Sequence, residues 1–323
     1  GNNLTNNVHT AAFVGVGKNL ISLNMAWCNM TKLPAKLFRN MHLLRNLTLA
    51  ENRLKQLHSL VFKDLTSLER LSLAGNLITE IPIALFEQVK LIRHLDLSYC
   101  KLNKLAWNVF NGLRRLETLD LRGNQLRIIE PMTFAELSSL NRLSMGQNPL
   151  RRLTSKSFKG LHSLKSLNLA ESQLKKIDRD TFRDLKQLDE LILSDNKLKL
   201  LQVGTLLLSK LQHLALDGNK LTTLPHEISY LPYLRHLDVK NPFHCSCSMF
   251  WLKETKERLM RRWTDRKKNF PFIPGKCSTP INVKGMSVTN FLDQHCGHVL
   301  DEIEDEENRA KFWSMLEPCR GLL

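Results

Sequence analysis

LERLSLAGNLI (68–78) and LETLDLRGNQL (116–126) follow one pattern, L-x-x-L-x-L-x-x-N-x-L, and that pattern recurs along most of the chain. Its anchor residues are Cys28, Asn52, Asn76, Cys100, Asn124, Asn148, Ser172 and Asn196, spaced 24 apart, with Asn219 arriving one residue early. A fixed period of this length means stacked structural units, each able to bury its apolar face only against its neighbours. Function is then to be sought on faces of an elongated body.

Within each unit the period-2 leucines predict a short strand with one buried face, and successive units pair in parallel. Ten strands follow, the last within LRHLDV (234–239). The anchor Asn can donate to and accept from backbone groups that no ladder satisfies. A second clock runs through Phe38, Phe62, Phe86, Phe110, Phe134, Phe158 and Phe182, predicting an aromatic spine; Leu206 and Ile228 take over that place. Pro34, Pro82 and Pro225 suit the start of short helical or 3₁₀ segments.

The 323 residues carry 47 Lys/Arg against 31 Asp/Glu, a formal charge of +16. The balance reverses at the end, where residues 301–323 hold 3 basic and 7 acidic groups. A basic body suits nucleic acid, anionic membrane or acidic glycan without choosing among them. No apolar run has the length of a membrane helix. The repeat is already under way at Gly1, so the chain reads as part of a larger or processed protein, with targeting and anchoring segments elsewhere.

Cys28 and Cys100 stand at anchor positions three units apart, about 14 Å at strand spacing, beyond disulfide reach. They read as buried free thiols. After the last strand come Asn241, Pro242, Cys245, Cys247, Trp251, Cys277, Pro280 and Cys296, in the order C-x-C, long gap, C, shorter gap, C. Four cysteines allow three pairings, and a zinc site is a rival that lacks a second close pair. The link LDVKNP is one residue short of the usual register, which predicts an irregular final turn.

Repeat and cysteine pattern together resemble the extracellular leucine-rich-repeat family over roughly residues 1–296. The resemblance implies an α/β solenoid: a right-handed horseshoe with a parallel concave sheet and a disulfide-bonded C-terminal cap. It implies Cys245–Cys277 and Cys247–Cys296 bonds and an oxidising compartment. The expected organisation is a solenoid over 1–240, the cap over 241–296 and an acidic tail or linker over 297–323. The family's N-terminal cysteine cap is absent, leaving the first coil uncovered. Sequons at Asn3, Asn29 and Asn46 agree with an extracellular setting but are about as many as chance supplies. Cys319 is left over: it pairs outside this segment in a partner disulfide, links two chains as a homodimer, or remains free.

On the concave face the outward columns are small and polar, suited to a protein that brings its own bulky groups. Trp27 and Tyr99 are its aromatic hot-spot candidates. Arg70, Arg93, His94, Asp96, Asp120, Arg122 and Arg142 form a mixed central patch. Asp96 and Asp120 sit about 5 Å apart in one column, a glycosidase-like separation, but an open sheet neither excludes water nor surrounds a substrate. His213 and His236 share a column and could bind metal or sense pH; plain surface is the simpler reading.

The three outward places after each anchor hold 13 basic residues in 27, against one acid, Glu80. Lys101, Lys104, Arg127, Arg151, Arg152, Lys175, Lys176, Lys197 and Lys199 make its main run. Stacked at about 5 Å per coil, they form either a solvated edge or a ridge matching a linear polyanion such as heparan sulfate. Nucleic acid is disfavoured because no aromatics interleave the charge. No cofactor or metal motif, phosphate loop or nucleophile elbow is present. The expectation is a non-enzymatic ectodomain of a cell-surface receptor or adhesion protein. The alternatives are a secreted glycosaminoglycan-binding matrix or carrier protein and a Toll-type immune sensor.

Overall fold

The computed structural model describes residues 8–262 and 272–296. Asn3, Cys319 and the acidic stretch 297–323 lie outside the described residues.

Ten three-residue strands, from Ser22–Asn24 to His236–Asp238, pair in parallel and in chain order. Residues 24 apart are in register, as Arg70 with His94 and Leu95 with Leu119. The register survives the two shortened coils, where Glu190 pairs with His213 and His213 with His236. The central leucine of each strand turns inward and, from Leu47 onward, is buried. Leu23 is only half-buried, and Val8, Phe13 and Leu20 lie against the core beside it. The first coil is therefore partly covered by the chain's own preceding turns.

The anchor asparagines work as the sequence predicts. Asn52 Nδ2 donates to the carbonyls of Leu49 and Met25 at 2.9 Å each, and its Oδ1 accepts from the Met30 and Cys28 amides. Each carboxamide thus ties its own coil to the one before it. Asn241 takes the same role, donating to Leu216 O at 2.9 Å and accepting from Leu221 N at 3.3 Å. The short link at 237–242 therefore preserves the ladder. Ser172 and Cys100 each offer one hydrogen, to Met145 O and Leu73 O at 3.3 Å, and cannot bridge as a carboxamide does.

Beneath the convex side the phenylalanines stack, with ring centroids 6.1–6.3 Å apart in four neighbouring pairs. The convex connections are turns and 3₁₀ segments; among the described residues, α-helix occurs only after the last coil. Pro82 and Pro225 each stand just before a 3₁₀ segment, Ile83–Phe86 and His226–Tyr230. Amides at the left-handed convex corners donate to acids one coil on: Asn40 to Asp64, Gly112 to Glu136, Gly160 to Asp184 and Gly204 to the buried Glu227. Those acids look like surface charge in the sequence, yet they serve as coil-to-coil acceptors.

The end of the stack is closed by helix α1 (Trp251–Arg262) and helix α2 (Val288–His295). Disulfides join Cys245 to Cys277 and Cys247 to Cys296. Phe272–Ile273 adds an eleventh strand beside Leu237–Asp238, so the cap extends the sheet as well as covering it. Trp251, Leu252 and Leu259 of α1 are buried, and Arg258 Nη1 donates to Ser229 O of the last coil at 2.5 Å. Cys28 and Cys100 are free and buried.

Candidate concave binding face

The strands bring Arg93, His94, Asp96, Tyr99, Asp120 and Arg122 together on adjacent coils. Arg93 pairs with Glu117 at 2.5 Å, and His94 Nδ1 lies 2.9 Å from Thr118 Oγ1. Arg70, His94, Asp96, Asp120 and Arg142 line one open groove along the sheet. Trp27, 67% exposed, stands three coils from Tyr99 and outside this cluster.

The position before each anchor explains how Tyr99 is presented. Trp27, Glu51, Gly75, Tyr99, Gly123, Gln147, Glu171, Asp195 and Gly218 all have φ between 50° and 69°. Every coil turns here through the left-handed region, which favours glycine but does not require it. Where glycine follows a larger residue, the larger side chain lies across it: Glu51 over Gly75, Tyr99 over Gly123, Asp195 over Gly218. Tyr99 is thereby laid flat along the rim, 48% exposed, with the Arg122 guanidinium 5.2 Å from its ring centre. The sequence places Tyr99 as a hot-spot candidate but does not reveal this left-handed column. The recurrent glycines were its available signal.

The concave acids have structural duties. Asp96 Oδ1 accepts from the Ser98 amide at 3.0 Å and Asp120 Oδ1 from the Arg122 amide at 2.9 Å. Asn24, Asn168 and Asp238 cap the same turn two residues on. This is an Asx-turn repeated down one column. Burial, opposed by the Arg122 amide, holds the Asp120 carboxyl above its usual range, and Asp96 beside it adds to the rise. Asp96 and Asp120 are cross-strand neighbours. A carboxylate fixed to its own backbone in an open groove is poorly placed for acid–base work.

Further along, Glu190 accepts from Ser166 Oγ at 2.6 Å and lies 3.1 Å from His213 Nδ1. The His213 and His236 rings meet edge to face at 4.6 Å. Burial and the neighbouring His213 depress the His236 pKa. No cluster of three or more metal-binding side chains occurs among the described residues.

The ridge side chains are exposed along one edge. Arg152 is paired with Asp178 at 2.9 Å, Lys176 approaches the same carboxylate at 3.9 Å, and Lys104 reaches Glu80 at 3.4 Å. Asp178 lies two places beyond the last ridge position of its coil. Lys101, Arg127, Arg151, Lys175, Lys197 and Lys199 form no ion pair among the described residues. A second parallel pairing, Arg152–Leu153 with Lys176–Ile177, stiffens this edge. Asn29 and Asn46 are half-buried, and Asn46 lies on a concave strand where Arg70 Nη1 approaches its Oδ1 at 3.5 Å.

A family model described as Leucine rich repeat matches four overlapping stretches, 42–102, 92–150, 146–198 and 187–241, together well over half of the chain. No curated protein sequence matches. Among solved structures, the crystal structure of a TLR13–ssRNA13 complex is similar over 68% of this chain, with 28% identity and a TM-score of 0.66; the chain spans 32% of that one. A leucine-rich-repeat protein of Leptospira interrogans is 23% identical over 84% of this chain and 71% of its own, with a TM-score of 0.64. An octameric complex of Latrophilin 3, Unc5D and FLRT2, whose leucine-rich-repeat component is FLRT2, gives 22% identity over 84% and 74%, with a TM-score of 0.57.

Proposed function

The chain belongs to the leucine-rich repeat family, and on that premise we propose that it is a non-enzymatic ectodomain segment of a cell-surface receptor or adhesion protein. Its ligand is an extracellular protein held on the concave face. One observation carries this reading. The groove lined by Arg70, His94, Asp96, Asp120 and Arg142 is open and mixed in charge, and at its rim stands an exposed Tyr99 backed by Arg122. Aromatic and arginine side chains of that kind dominate protein–protein hot spots, while the polar groove supplies complementarity. The two cap disulfides favour an oxidising, extracellular setting. Sugar on Asn29 or Asn46 belongs to the same reading, and on Asn46 it would direct the ligand toward the middle coils. The test is capture from a library of extracellular proteins. Loss of the captured partner on Arg122→Glu, with the thermal midpoint kept, supports the concave site; retention of that partner refutes it.

A second reading rests on the six basic residues of the ridge's main run that form no ion pair among the described residues. They suit a linear polyanion such as heparan sulfate, as in a secreted matrix or carrier protein. Charge reversal at Arg151 and Lys175 should lower the salt at which the protein leaves heparin; unchanged elution removes this reading. Toll-type recognition draws only on the TLR13 likeness, and nucleic acid is the less suited polyanion because the ridge carries no stacking aromatics.

A further inference from the structure

Beside the basic ridge lies a row of exposed apolar side chains that the fold does not require. Leu60, Ile83, Trp107, Ile128 and Met132 are 44–61% exposed and come from four consecutive coils. Ile83 and Trp107 each precede a spine phenylalanine by three residues, and those two rings, Phe86 and Phe110, stack at 6.3 Å. Leu60 and Met132 precede theirs by two. The row therefore takes the same or the neighbouring place in each successive coil.

The repeat supplies its own control. The corresponding places one and two coils beyond Met132 hold Ser155, Lys156, Arg179 and Asp180, all exposed, while Phe158 and Phe182 stack at 6.1 Å as elsewhere. Polar residues thus satisfy the coil equally well, so the apolar row is not a packing requirement; exposed apolar residues return, at Leu200 and Val203, only after this polar gap. Contiguous apolar surface of this kind marks an interaction site.

Its neighbours say what kind. Trp107 is three residues from Lys104, at most about 10 Å along the chain. Ile128 directly follows Arg127 and occupies a ridge position itself. Of the acids along this edge, Glu80 and Asp178 are already paired with ridge cations and Glu130 is half-buried, while the exposed Asp180 lies two coils beyond Met132. A soluble polyanion would use the charges and leave the apolar row in water. A surface with anionic headgroups above acyl chains uses both, because Trp and aliphatic side chains insert at the interface while Lys and Arg meet the headgroups.

We propose that this lateral edge docks on an anionic lipid surface, with Trp107 and Ile83 inserting and Lys101 and Arg127 engaging headgroups. The concave groove remains free for a separate ligand.

Co-sedimentation with phosphatidylcholine vesicles, with and without about one-third phosphatidylserine, tests this. The protein should pellet with the anionic vesicles and stay soluble with the neutral ones. Trp107→Ser with Ile83→Ser should weaken that binding about tenfold or more while leaving the thermal midpoint in place. Lys101→Glu with Arg127→Glu should abolish it. Failure to pellet with anionic vesicles overturns the proposal. So does unchanged pelleting of the double serine variant, which would reduce the edge to a general polyanion ridge able to take heparin. Capture of a concave partner by the serine variant would be unaffected, so the two readings fail independently.

Discussion

The Tyr99 hydroxyl donates to Gln147 Oε1 at 3.1 Å, joining two residues 48 positions and two coils apart across Gly123. A methyl group at Gly123 would collide with the Tyr99 ring, and φ there is +69°. Gly123→Ala should therefore destabilise by about 1–3 kcal/mol. In a Tyr99→Ala background the collision disappears and only left-handed strain of about 1 kcal/mol remains. A double-mutant cycle in urea should show this coupling. Additive costs would mean that the ring is not held over the glycine.

Tyr99 and Arg122 also serve the concave reading. Their contact is exposed, so neither contributes much to the fold. Tyr99→Ala and Arg122→Glu should each weaken partner capture about tenfold or more, with the thermal midpoint nearly unchanged. Surface plasmon resonance against the captured partner measures the first effect and calorimetry the second.

What was legible in the sequence was what repeats. The 24-residue clock placed ten strands, the anchor ladder and the phenylalanine spine because each is a packing requirement met again in every coil. The clock was less informative where one residue type serves two purposes. Asp96 and Asp120 look like a carboxylate pair, yet each caps a turn, and only backbone geometry separates those uses. Asp178 lies outside the ridge column and still pairs with Arg152, with Lys176 close by, since long side chains reach across positions that the column separates. The left-handed turn at Tyr99 was hidden because residues from tryptophan to glutamate share it with glycine.

Cys100 is an anchor whose thiol is pushed up to about 11, first by burial and further by Asp96 and Glu51, with the Asn76 backbone opposing. The native thiol keeps its proton where an unfolded one, near 9, loses it. Its stabilising contribution is complete below pH 9 and is lost as pH rises through 11. A thiol-specific reagent at pH 8 should leave Cys100 unmodified in the folded protein and label it promptly in denaturant. Fast labelling of the native protein at Cys100 would contradict the buried position.

His226 and His236 have the opposite sign. Burial lowers both, and His213 adds to the effect at His236. Each remains neutral in the fold at a pH where the unfolded imidazole, near 6.5, takes a proton. Their stabilisation is present above 6.5 and is lost as pH falls through the depressed folded values. Asp238 is raised by burial and acts in the other direction nearer its own range. Urea midpoints should fall as pH drops below 6.5, and His226→Gln with His236→Gln should flatten that slope. An equal slope in the double variant would place the titration elsewhere.

The cap tests how far stability is shared along the stack. Cys277 is bonded to Cys245, and the same segment pairs with Pro242–His244, so this bond is one of two covalent links, with Cys247–Cys296, that hold the cap against the end of the solenoid. Just before it, Phe272–Ile273 is the eleventh strand, bonded to Leu237 and Asp238. Neighbouring coils interact chiefly with one another, so losing the cap should open the last coils before the first. Cys245→Ala with Cys277→Ala, which leaves no unpaired thiol from this bond, should cost about 2–4 kcal/mol. Amide exchange should accelerate most near Leu216 and Leu237, less near Leu143 and least near Leu71. Uniform acceleration across all ten strands would instead mean that the stack unfolds as one unit, with the cap stabilising every coil equally.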